Sequence, residues 1–71
     1  MANIIDTNII REKLINLRGE KTRKEVACDL GLSPSAIAMY ESGKRIPRDE
    51  YKVIIARYYG TTIEDIFFSS E

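Results

Sequence analysis

Residues 23–40 read Arg23-Lys24-Glu25-Val26-Ala27-Cys28-Asp29-Leu30-Gly31-Leu32-Ser33-Pro34-Ser35-Ala36-Ile37-Ala38-Met39-Tyr40, and their spacing decides the fold. Thr22 and Glu25 frame a capping box, so a helix is expected to begin at Arg23. Val26, Ala27 and Leu30 form its apolar stripe, and Gly31 supplies a left-handed stop. Ser33 at an N-cap followed by Pro34 at N1 starts a second helix almost at once. It should run from Pro34 to about Ser42, turn Ile37 and Tyr40 inward and close at Gly43. Two short helices joined by a tight glycine turn make a helix-turn-helix pattern. Ala27 must be small where the helices cross, Gly31 must take positive φ, and Leu32 and Ile37 fill the wedge.

Outward from that segment the pattern stays helical. Ile10, Leu14 and Leu17 recur at i, i+4 and i+7, which predicts an amphipathic helix from about Asn8 to Arg18, ended by Gly19. Lys44-Arg45-Ile46-Pro47-Arg48 reads as a basic loop stiffened by proline. Another helix begins near Asp49-Glu50, whose charges suit a helix N-terminus. Its expected inward stripe is Tyr51, Ile54, Ile55 and Tyr58, and Gly60 ends it. Thr62-Ile63-Glu64-Asp65 starts a fifth, short helix that ends in Ile66-Phe67-Phe68. The expected fold is all-α, a compact five-helix bundle over residues 8–68, with an N-terminal arm at 1–7 and a tail at 69–71.

Composition limits the chemistry. The chain has 71 residues, one cysteine and no histidine. A folded chain of that size buries roughly 60% of its surface, enough for one thin core. One cysteine and no histidine cannot supply a zinc site, and no base stands ready for a serine or cysteine nucleophile. The expectation is a protein that is not an enzyme and needs no cofactor or metal. Cys28 is read as a small, half-buried packing residue rather than a redox sensor. The longest apolar run, Val53-Ile54-Ile55-Ala56, is far short of the ~20 residues of a membrane span. No signal-peptide pattern opens the sequence, so a cytoplasmic location is expected.

Net charge is zero, but unevenly spread. Residues 1–48 hold nine basic and six acidic side chains, and residues 49–71 hold two and five. One basic face is therefore expected to meet an anionic partner locally.

Taken together, Leu17-Arg18, Glu25-Val26-Ala27, Leu30-Gly31-Leu32-Ser33, Ile37, Tyr40-Glu41-Ser42-Gly43-Lys44-Arg45, Pro47 and Thr62-Ile63-Glu64-Asp65-Ile66-Phe67 resemble the XRE family of Cro and phage-repressor type. The most specific element is Glu41-x-Gly43-Lys44-Arg45-x-Pro47. The resemblance implies double-stranded DNA as partner, read in the major groove by the second helix of the motif. Arg23 stands where the family usually has Gln contacting a phosphate or base. Ser33, Pro34, Ser35, Ala38 and Met39 complete the candidate base-reading set with it. Ala38 and Met39 replace the Ser, Arg or Lys of many members, leaving apolar contact such as that with a thymine methyl.

Lys24, Lys44, Arg45 and Arg48 are the phosphate candidates, which position without reading sequence. Arg18 and Glu41 match positions that often pair between the first and third helices, so they join Ala27, Gly31 and Ile37 as structural residues. Tyr51, Tyr58 and Tyr59 are read as packing residues, and so is Tyr40, with its hydroxyl in reach of a phosphate. One of Phe67 and Phe68 is expected to cap the core and the other to serve as a dimer contact. The function expected is a small transcriptional repressor that binds its operator as a homodimer. The rival is a protein-interaction module, an antitoxin or co-regulator, using the same surface on a partner protein.

Overall fold

The computed structural model describes residues 7–68. The expected arm and tail therefore lie outside the described residues, except for Thr7, which opens the first helix. Helix α1 spans Thr7–Arg18, α2 Arg23–Leu30, α3 Pro34–Ser42 and α4 Asp49–Tyr59, and a π-helical turn covers Glu64–Phe68. Among the described residues all regular structure is helical. The expected order of elements holds, with the fifth helix realised as that wider turn. Thr62 caps its start by accepting from the Asp65 amide at 3.1 Å.

The local signals act as their chemistry requires. The Thr22 hydroxyl accepts from the Glu25 amide at 3.0 Å, and the Glu25 carboxylate accepts from the Thr22 amide at 2.9 Å. The Ser33 hydroxyl accepts from the Ala36 amide at 3.1 Å. Between them Gly31 adopts φ 74°, and its amide donates to the Ala27 and Cys28 carbonyls. The chain thus leaves α2 and enters α3 within three residues.

Two apolar clusters share one core. Ile10, Leu14, Tyr40, Ile55, Ala56, Ile66 and Phe67 form the larger, while Val26, Ala27 and Ile37 form the wedge between α2 and α3. Leu30, Leu32 and Tyr59 pack against both. Helix α3 is the central element: it packs against α2 and α1, and the terminal turn closes on α1. Phe67 is buried and Phe68 exposed, so one phenylalanine caps the core as expected.

Three expectations need correction. Leu17 and Ile54 are exposed rather than inward, and the buried side of α4 is Lys52, Ile55 and Ala56. Lys52 is accommodated because its ammonium lies over the rings of Phe67 and Phe68, at 5.5 and 5.2 Å, and 3.7 Å from Asp49. Its aliphatic stem supplies the apolar surface while the charge stays near the rim. Cys28 is exposed, because α2 turns it away from the wedge that Val26 and Ala27 fill.

Gly43 ends α3 at φ 80°, and a Cβ there would lie 3.0 Å from Cδ of Arg11. Gly43→Ala should therefore lower stability by about 1–2 kcal/mol, read as a reduced midpoint in urea. Tyr59 gives a second test. Desolvation, reinforced by the negative charge of Glu41, pushes its hydroxyl up from 10.0 to about 12. Below pH 10 folded and unfolded chains both keep the proton, and this group leaves stability unchanged. Between about 10 and 12 the unfolded chain releases the proton first, so stability should fall through that window. Absorbance titration at alkaline pH should show one late tyrosine, which Tyr59→Phe removes.

Candidate nucleic-acid interface

The outer side of α3 is presented by what holds its inner side. Ile37, Tyr40 and Glu41 are buried, so Ser33, Pro34, Ser35 and Met39 face solvent and Ala38 is half-buried. Every candidate on α3 is thus on or beside one protruding face. Ser33 already uses its hydroxyl oxygen as a cap, which leaves its O–H for a ligand. Met39 is 41% exposed and adds an apolar contact point at mid-helix.

Behind that face lies a buried carboxylate. Glu41 is 3% exposed and receives Nε of Arg18 at 2.7 Å on Oε2 and Nε of Arg23 at 2.9 Å on Oε1. Arg18 also donates to the Lys21 carbonyl at 2.8 Å, and Arg11 to the backbone carbonyl of Glu41 at 3.4 Å. One residue of α3 therefore binds both α1 and the first residue of α2. The hydrogen bond to Glu41 raises the Arg18 guanidinium above its usual value. The Arg18–Glu41 pair matches the expectation. The Arg23–Glu41 bond carries no local signal in the sequence, because eighteen residues separate the partners.

That bond changes how Arg23 can work. Its Nε is committed to Glu41, while the side chain remains 48% exposed. The fork of terminal nitrogens is held at the N-terminus of α2, where a phosphate is favoured by the helix dipole. Lys24, Lys44, Arg45 and Arg48 are exposed, and no salt bridge engages them among the described residues. Unpaired cations on both flanks of α3 are what a polyanion needs. On the far side of α2 a separate cluster forms, with the Tyr58 hydroxyl donating to Asp29 and accepting from Lys21 at 2.9 Å. It ties α2 to α4 and stands apart from the α3 face.

A protruding, capped helix flanked by unpaired cations defines a DNA-binding helix-turn-helix regulator. The helix-turn-helix family model matches residues 10–66, and the chain belongs to that family, of XRE type. Among solved structures it is similar to the SOS-response transcriptional repressor LexA from Eubacterium rectale. The TM-score is 0.82 at 27% identity, over 92% of this chain and 71% of that one. Comparison with curated proteins returns no match. Among the described residues no helix is long and apolar enough to cross a membrane.

The Glu41 network makes an asymmetric prediction. Arg18→Ala leaves a buried carboxylate with one half-exposed partner and should cost about 3 kcal/mol. Arg23→Ala removes the more exposed partner and should cost about 1 kcal/mol. Urea unfolding of both variants checks the order, and equal losses would contradict the unequal burial of the two arginines.

Proposed function

We propose that the protein represses transcription by binding a specific double-stranded operator as a homodimer, with α3 in the major groove. The observation that carries this reading is the exposed α3 face, with unpaired cations at Lys24, Lys44, Arg45 and Arg48 beside it. The similar solved structure is named as a transcriptional repressor, which supports the same role. Binding rather than catalysis is the activity, and it needs no cofactor. The cytoplasm, where the DNA is, is its place of action. In a dimer the two α3 helices sit about 34 Å apart, on successive turns of the groove. Phe68, 55% exposed beside the capped core, is the dimer contact proposed.

Base readout falls to Ser35, the free O–H of Ser33 and the apolar Ala38 and Met39, with DNA shape adding to them. The exposed Met39 favours one competing reading, in which the same face docks a partner protein. The two differ in salt dependence, since displacing counterions is specific to a polyanion.

Selection from random duplexes followed by affinity measurement over a salt series tests the proposal. A two-fold symmetric motif is expected, with log K falling against log salt at a slope near −7 for about eight phosphate contacts. Ser35→Ala should cost about 1–3 kcal/mol at particular bases, and Lys44→Ala should weaken all sequences alike. No enrichment at any salt would overturn DNA binding, and an unsymmetric motif would overturn the dimer.

A further inference from the structure

Helix α4 carries an exposed stripe that the interface on α3 does not use. Glu50, Val53, Ile54 and Arg57 are all exposed, and their spacing of i, i+3, i+4 and i+7 sets them on one side of the helix. Val53 and Ile54 keep 39% and 41% of their surface in solvent, on either side of the line that joins Glu50 to Arg57. Periodicity alone would turn Ile54 inward, yet the inner side is taken by Lys52, Ile55 and Ala56. Ile15 and Leu17 on α1 are exposed too, but they stand about 200° apart around their helix and form no common patch. The two ends of the α4 stripe carry opposite charges, and neither side chain is in a hydrogen bond or ion pair among the described residues. Their signs suit the helix dipole. That local role leaves the two exposed aliphatic side chains between them unexplained.

The charge pattern chooses what covers them. A two-fold axis crossing α4 midway between Val53 and Ile54 brings Glu50 level with Arg57 of the partner subunit, and Arg57 level with the partner's Glu50. Val53 then meets Ile54 of the partner subunit, and Ile54 meets the partner's Val53. Glu50 and Arg57 lie about 10.5 Å apart along the helix, each equally far from that midpoint. An isologous contact requires a patch complementary to itself, and this one is so in its charged ends and in its apolar centre. The antiparallel arrangement also opposes the two helix dipoles. We infer that the outer stripe of α4 docks a second copy of this chain, α4 antiparallel to α4, in that register. This rests on the homodimer reading above and supplies its surface; Phe68, the contact named there, meets the Lys52 ammonium at 5.2 Å, one residue along α4 from Val53. Ile55 and Ala56, on the inner side, share the core with Tyr40 of α3. The stripe therefore points away from α3, and a copy docked on it leaves the reading face open. A contact one helix wide is smaller than the ~800 Å² per partner of a standard interface, so the association is expected to be weak.

Sedimentation equilibrium of the full chain without DNA, up to about 1 mM, tests the register. The wild-type protein should pass from monomer to dimer within that range. Glu50→Arg and Arg57→Glu each turn both end contacts into like-charge pairs and should weaken the dimer about tenfold. The double swap Glu50→Arg/Arg57→Glu restores opposite charges and should bring the affinity back to within about threefold of wild type. An equimolar mixture of the two single variants should form a heterodimer, because one copy then offers two arginines to the other's two glutamates. Urea midpoints of the three variants serve as the control for folding. Loss in both single variants with no recovery in the double swap or the mixture overturns the antiparallel register. A dimer that no α4 substitution weakens overturns the stripe altogether; if Phe68→Ser then dissociates it, the homodimer reading survives with its contact at Phe68. A wild-type monomer throughout also overturns the stripe. The symmetry of the selected duplex motif decides the operator dimer separately, so a monomer in solution with a symmetric motif sinks the α4 contact alone.

Discussion

The structure depends on one buried carboxylate. Glu41 lies in α3 with 3% of its surface exposed, and it is tolerable there only because two arginines reach it. An isolated carboxylate in such a site would be strongly disfavoured by desolvation. Its two oxygens fix three helices relative to one another: α1 through Arg18, α2 through Arg23, and α3 on which it stands. Ile10 and Leu14 pack with Tyr40 in one core, and the charged bonds add geometric direction to that contact. They also hold the guanidinium of Arg23 at the start of α2.

From that constraint follows the division of labour on α3. Its inner side is spent on Ile37, Tyr40 and Glu41, and its outer side is short and weakly polar. A helix of nine residues with two serines, two alanines and a methionine on or near its exposed side has few hydrogen bonds to give to bases. On the proposed reading, affinity comes from its flanks, where the exposed cations lie.

Much of this is legible in the sequence, for local reasons. Thr22, Glu25, Gly31, Ser33 and Pro34 act within four residues of themselves, so their signals survive without knowledge of the fold. The bounds of α3 followed from Ser33 and Gly43 alone. The inward faces are less legible where the pattern is ambiguous. On α4 almost every residue from Tyr51 to Tyr59 is apolar or amphipathic, so periodicity could not choose between Ile54 and Lys52. The neighbours chose: Phe67 and Phe68 offer ring faces to an ammonium, and no pattern along α4 itself encodes that. The exposure of Cys28 is hidden in the sequence for a similar reason, since a small side chain gives little signal of which way it points.

The sequence by itself determined the helices, their order, the glycine turn and the identity of the basic loop, because these depend on caps, backbone freedom and spacing within a few residues. It also held the Arg18–Glu41 pair, through a resemblance rather than through physics. Only the tertiary structure decided that Arg23 shares Glu41 and that Lys52 packs under two phenylalanines. Each joins residues far apart along the chain or from different helices. Their energies depend on burial and distance, which the folded arrangement creates and linear spacing does not contain.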